Sequence, residues 1–151
     1  MATAVTQHSQ QLVVFALGEE VYALPVAQVQ EIVRYSEPRP VASDTPWIRG
    51  VISLRGKIVP VCDLGSRLGV SSEPSGEAKI VIVETDAGTA GVIVDEVEEV
   101  LTVEGEQLEP APGASNDFID AIAKVEDRLI ILLNPESLFA GIELSGRPLA
   151  E

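Results

Sequence analysis

Catalysis needs nucleophiles, bases and metal ligands, and this sequence is short of them. His8 is the only histidine among 151 residues, and it sits in the polar stretch MATAVTQHSQ. Ser-His-Asp and Cys-His catalysis both need an imidazole held rigidly beside the nucleophile. Histidine-ligated metal chemistry needs the same. Cys62 is the only cysteine, which excludes an intramolecular disulfide and a Cys-rich zinc site. Within KIVPVCDL it reads as a buried structural thiol. The run DEVEEV offers Asp95, Glu96, Glu98 and Glu99, but it lacks the oxygen-ligand spacing of a calcium loop. Beside Val94, Val97 and Val100 it reads as a solvated acidic face. RGVISLRG has two glycines and neither phosphate-loop spacing. The 24 acidic residues single out no pair for glycosidic chemistry. Most hydrolase and metalloenzyme classes are disfavoured. No cofactor and no metal is expected, and a function built on protein contacts is favoured.

Charge is what the sequence has in quantity. The formal net charge is -14. Residues 34–67 hold Arg34, Arg39, Arg49, Arg55, Lys57 and Arg67 against Glu37, Asp44 and Asp63, a net +3, so the rest of the chain carries -17. That balance repels nucleic acid and anionic membrane, so neither is an expected partner. Three readings of it stand open: acidity for solubility, a basic segment that meets an acidic protein, and a halophilic surface. Arg55 lies at the tip of a predicted hairpin, where a guanidinium can reach a partner's carboxylates or carbonyls. Arg34 and Arg49 join it as candidates through the local charge excess. Gly50 and Gly56 mark positions where only a small residue fits or φ is positive.

Strands must position these residues. VVFAL (13–17) and VYAL (21–24) flank Gly18-Glu19-Glu20, a short hairpin loop. KIVIVET (79–85) and AGVIV (90–94) flank the matching turn, Asp86-Ala87-Gly88. VISL and KIVPV flank Arg55-Gly56, and Pro60 suggests an edge position or a bulge. RLIILL (128–133) reads as a well-buried strand. Apolar residues at 26, 29, 32 and 33 predict a helix over 25–33, with Pro25 in its first turn. Asp63 and Asn134 are good N-caps for two short helical segments, and Pro135 fits N1. Segments 36–47, 69–78 and 105–117 read as loops. No apolar run approaches the ~18 residues of a membrane span, and the N-terminal stretch lacks the regions of a signal peptide.

The chain also resembles itself. Val13–Val33 slides by 68 positions onto Val81–Leu101, so that Phe15 meets Val83, Glu31 meets Glu99 and Ile32 meets Val100. Val51–Leu68 slides by 71, so that Lys57 meets Arg128, Ile58 meets Leu129 and Asp63 meets Asn134. Two related halves, roughly 12–78 and 79–142, are expected within one domain at 12–142, with tails at 1–11 and 143–151. A half of about 65–70 residues is marginal alone. The expected fold is mainly β: two small barrels related by the repeat, packed together, with short helices. Whether strands exchange between the halves is left open.

The order VQEIV (29–33), WIRGVISLRGKIVPVCDL (47–64), GVIVDEVEEVL (91–101) and IDAIAKVEDRLIILLNPESLF (119–139) closely resembles the CheW-like coupling proteins of bacterial chemotaxis. The likeness covers about residues 12–140, and RGVISLRGKIVPVCDL is its most specific part. The resemblance implies a non-enzymatic adaptor made of two five-stranded, SH3-like barrels. It implies two partners: the cytoplasmic tips of chemoreceptors and the regulatory domain of the CheA histidine kinase, which shares the fold. It places the protein in the cytoplasm, at the inner face of the membrane through receptor arrays. It gives contact roles to Arg55, to Val29 and Glu31, to Gly50 and Gly91, and more weakly to Val100. A helical receptor tip would dock in an apolar groove between the barrels, with a charged rim tuning register. The Pro-rich segment within 105–117 and the strong acidity depart from what the resemblance requires. Three alternatives stay open: an adaptor of a non-flagellar chemosensory pathway, an enzyme or small-ligand-binding domain on a double-barrel fold, and a detached kinase regulatory domain.

Overall fold

The computed structural model describes residues 9–41, 47–70, 76–110 and 118–139. The chain runs through β1 (Gln10–Leu17), β2 (Glu20–Pro25), a 3-10 turn (Val26–Gln28), β3 (Val29–Arg34), β4 (Ile48–Leu54) and β5 (Lys57–Cys62). Helix α1 (Leu64–Leu68) leads to β6 (Lys79–Thr85), β7 (Gly88–Val94) and β8 (Glu96–Val103). A second 3-10 turn (Gly105–Gln107), β9 (Leu108–Glu109), β10 (Ile119–Val125), β11 (Arg128–Leu133) and α2 (Pro135–Leu138) complete it.

The strands form two sheets that exchange their hairpins. The first has the order β8-β1-β2-β11-β10-β9 and the second the order β3-β6-β7-β5-β4. The β1–β2 hairpin of the first half is thus built into a sheet whose other strands come from the second half. The β6–β7 hairpin sits in the sheet made by the first half. Among the described residues, parallel pairing occurs only at these joins, between β2 and β11 and between β5 and β7. The mainly-β, two-subdomain expectation holds. The first sheet has a sixth strand beyond the expected five, the two-residue β9, which pairs through Ile122↔Glu109 and Ala123↔Leu108.

Exchange explains why the joining hairpins are apolar on both faces. On β1, Leu12 and Val14 face a core inside the first sheet with Ala23, Val103, Ala123, Ile130 and Leu132. Its other face sends Phe15 and Leu17 into a shared core with Leu24, Val81, Val83, Val92 and Leu133. On β6, Ile80 and Ile82 face a core inside the second sheet with Val61 and Ile93, while Val81 and Val83 join the shared one. Cys62 is buried in the shared core.

Both predicted caps form. The Asp63 carboxylate accepts the Ser66 N–H at the start of α1, and Asn134 Oδ1 accepts those of Glu136 and Ser137, with Pro135 at N1. The predicted helix over 25–33 is overturned. Only Val26–Gln28 turn, as a 3-10 segment, and Val29–Arg34 is a strand paired with β6. Its alternation of half-buried and exposed residues has period two. The β-branched Val29, Ile32 and Val33 favour that state, and β6 supplies the ladder partner. The loop expected over 105–117 is also corrected at 105–109, where the second 3-10 turn and β9 lie. Residues 111–117 of it lie outside the described residues. Pro60 pairs with Val51 on β4, and the register with β7 begins only at Val61, so the missing N–H costs no ladder bond on that side. Among the described residues no helix is long and apolar enough to cross a membrane.

Candidate partner-binding site

The β4–β5 hairpin is closed by Arg55 and Gly56, with φ of 54° and 81°. Positive φ at both central residues is the two-residue turn whose twist matches the flanking strands. The left-handed backbone is easy for Gly56 and costly for Arg55. The Arg55 side chain is 73% exposed and reaches Glu31 on β3. Nη2 donates to Oε1 at 2.8 Å, and Nη1 donates to Oε2. β3 and β4 are the two edges of the second sheet, so this fork ties one edge to the hairpin of the other. The hydrogen bonds from Arg55 hold the Glu31 carboxyl below its ordinary range. Glu31 in turn raises the Arg55 guanidinium.

A register shift aims Glu31. The β3–β6 ladder slips by one residue between Val29 and Glu31, and such a bulge re-aims the side chain that follows it. The first sheet repeats the device. The β8–β1 ladder slips between Val97 and Glu99, and Arg128 at the start of β11 donates to Glu98 at 3.1 Å and Glu99 at 2.5 Å. Here the turn position equivalent to Arg55 is Glu126, with φ of 57°. The tip of one hairpin is therefore basic and that of the other acidic. Exposed apolar side chains follow the same offsets: Ile32 (38%) and Ile58 (39%) on the second sheet, Val100 (58%) and Leu129 (61%) on the first.

The other candidates divide between surface and scaffold. Arg34 ends β3, exposed, opposite Lys79. Arg49 Nη1 donates to Asp63 Oδ2 at 2.8 Å, at the far end of β4 from Arg55. Val29 is half-buried against the shared core. Gly50 is a scaffold position. With φ of 156°, a Cβ there would lie 2.2 Å from the Arg39 carbonyl oxygen, and Arg39 bonds the backbone of Val51 in both directions. Gly91 is interior: a Cβ would meet Ile80 Cγ2 at 2.7 Å. The fold thus brings Glu31 and Arg55 into contact, leaves Val29 and Arg34 on the same strand as Glu31, and sets Val100 on the other sheet. Ile58, Leu129 and the Arg128 cluster were not singled out as site residues. The signal for them lay in the repeat, which aligns Lys57 with Arg128, Ile58 with Leu129 and Glu31 with Glu99.

Burial pushes the Cys62 thiol far up, and the neighbouring Asp63 charge adds to it, so the thiolate nucleophile is suppressed. Among the described residues no group of three or more His, Cys, Asp or Glu could hold a metal ion. Two interlocked β subdomains carrying paired charges and exposed apolar side chains define a binding module. The sequence model of the CheW-like domain matches residues 11–143, and the chain belongs to that family, whose members are non-enzymatic adaptors of chemotaxis. It is 35% identical to "Chemotaxis protein CheW" of Bacillus subtilis over 141 residues, 90% of each chain. It matches the crystal structure of the scaffolding protein TtCheW from Thermoanaerobacter tengcongensis with a TM-score of 0.81 and 37% identity, over 87% of this chain and 92% of that one. It is 27% identical to "Protein PilI" of Pseudomonas aeruginosa over 129 residues, 82% of this chain and 72% of the other.

Proposed function

We propose that this adaptor couples the cytoplasmic tips of chemoreceptors to a CheA-type histidine kinase, binding both and carrying out no reaction. One observation carries the reading. Arg55 and Glu31, two of the residues to which the resemblance gives roles in coupling, pair on an exposed rim of the second sheet. Ile32, the residue after Glu31 on β3, and Ile58, on β5 just after the Arg55 turn, are exposed on the same sheet. An apolar surface beside a directional charged group is what a protein contact needs: the first supplies affinity and the second register. The adaptor acts on the kinase by binding its signalling states unequally. On this reading it works in the cytoplasm, held at the inner face of the membrane through the receptors.

Titration calorimetry with a purified kinase regulatory domain and with a receptor-tip fragment tests this. Binding of both, weakened about tenfold or more for one of them by Arg55→Glu, is the expected result. Wild-type protein that binds neither would overturn the reading. A second reading, an adaptor of a pathway with a non-flagellar output, rests on the same fold and the same candidate residues. Capture of a kinase and receptors from such a pathway would favour it.

A further inference from the structure

Arg67 sits where the two halves meet. It occupies the last turn of α1, and its Cζ lies 5.0 Å from the Trp47 ring centroid and 4.7 Å from that of Phe118. Those two residues are 71 apart, the offset of the repeat, and they play equivalent parts. The Trp47 carbonyl accepts the Asp63 N–H at 2.8 Å, and the Phe118 carbonyl accepts the Asn134 N–H at 2.7 Å. Trp47 immediately precedes β4 of the second sheet, and Phe118 immediately precedes β10 of the first. At 9% and 6% exposure they are the least buried members of the shared core. One guanidinium therefore stands between equivalent rings of the two subdomains, at the rim of the core that joins them.

The repeat breaks at this point. The residue equivalent to Arg67 is Leu138, a buried member of the shared core, so an ordinary core residue suits the same place in the other half. Arg67 instead buries its Nε without a hydrogen-bond partner and has no salt bridge among the described residues. The carboxylate nearest in sequence, Asp63, is engaged by Arg49 and by the Ser66 N–H. An unpartnered buried N–H is costly, and what offsets it here is the faces of two rings, which attract a flat cation. Such a cost persists when the group holds something in place.

We infer that Arg67 is a positioning residue, which sets the β4–β5 hairpin of one sheet relative to the β10–β11 hairpin of the other by clamping Trp47 to Phe118. Distance measurement between two spin labels tests it without any partner. Lys57→Cys and Asp127→Cys place the labels at exposed hairpin positions, and buried Cys62 stays unlabelled. The parent should give one narrow distance distribution. Arg67→Met, which keeps volume and removes the cation, should broaden or shift it. Phe118→Leu, which keeps the cation and removes one ring, should do the same. Fluorescence of Trp47, the only tryptophan, reports whether the stack is lost, and a cooperative melt reports that each variant is folded. Stack lost, melt cooperative and distribution unchanged in the folded variants would overturn the inference.

Discussion

Glu31 and Arg55 stand 24 residues apart in sequence, on the edge strand β3 and on the hairpin of the opposite edge of the same sheet, and their side chains meet as a two-point fork. The pair does two jobs that mutation can separate. It joins the sheet's edges, and it holds an exposed guanidinium in one orientation.

Exchanging the partners separates them. Glu31→Arg combined with Arg55→Glu restores an ion pair of opposite polarity. Thermal stability should stay close to wild type, because exposed pairs contribute little. Affinity for the partner that reads Arg55 should still fall about tenfold, as in the single Arg55→Glu variant. Full recovery of binding in calorimetry would mean that the pair serves the sheet and that the guanidinium is not read.

The same pair sets a pH dependence. The folded Glu31 carboxyl lies below its ordinary value of 4.5, chiefly through the hydrogen bonds from Arg55. Its contribution to stability is therefore complete above that value and is lost as pH falls through the depressed folded value. Urea titrations over the acid range should show Glu31→Gln flattening the pH profile there. The effect will be small, because both groups are well solvated. An identical acid slope in wild type and Glu31→Gln would remove this pair from the acid response.

Gly91 should act through packing. A valine there must displace Ile80 and crowd Ile82 and Val61, which stand 2.7, 3.4 and 3.6 Å from the added Cβ. Overpacking of this kind costs about 1–3 kcal/mol. Chemical denaturation should show that loss for Gly91→Val. Weakened partner binding without loss of stability would instead make Gly91 a contact.

Cys62 should resist modification. It is buried, and its thiol is shifted far up by desolvation. A disulfide-exchange reagent at pH 8 should label it only at the rate of unfolding, and denaturant should bring labelling to completion. Rapid reaction of the native protein would show an opening of the shared core.

The sequence disclosed what depends on neighbours in the chain. Arg55-Gly56 announces its turn, Asp63 and Asn134 announce their caps, and the offsets of 68 and 71 announce the two halves. Residues 25–33 misled because apolar side chains at 26, 29, 32 and 33 satisfy a helix, while VQEIVR (29–34) shows no alternation of apolar and polar residues and takes its period-two burial only in the sheet. The choice was made by β6, which no local pattern contains. The exchange of hairpins was invisible for the same reason: β1 reads equally well beside either set of strands. Arg55 and Glu31 were brought forward by resemblance, and their contact exists only once the sheet's edges meet. Arg67 looked like one cation among six, since Trp47 and Phe118 converge on it only when both halves are folded.

Strand exchange also sets a timetable for the nascent chain. The second sheet has all its strands once Val94 has been made, whereas the first must wait for Leu133, 39 residues later. At about 5–20 residues per second that interval lasts roughly 2–8 s. Throughout it the β1–β2 hairpin can rest one face on the finished sheet, but Leu12, Val14 and Ala23 have no complete core to enter. A ribosome that stalls between these points holds a half-clad, aggregation-prone intermediate. Cutting the gene at the repeat boundary would yield two fragments that can form these sheets only by annealing to each other.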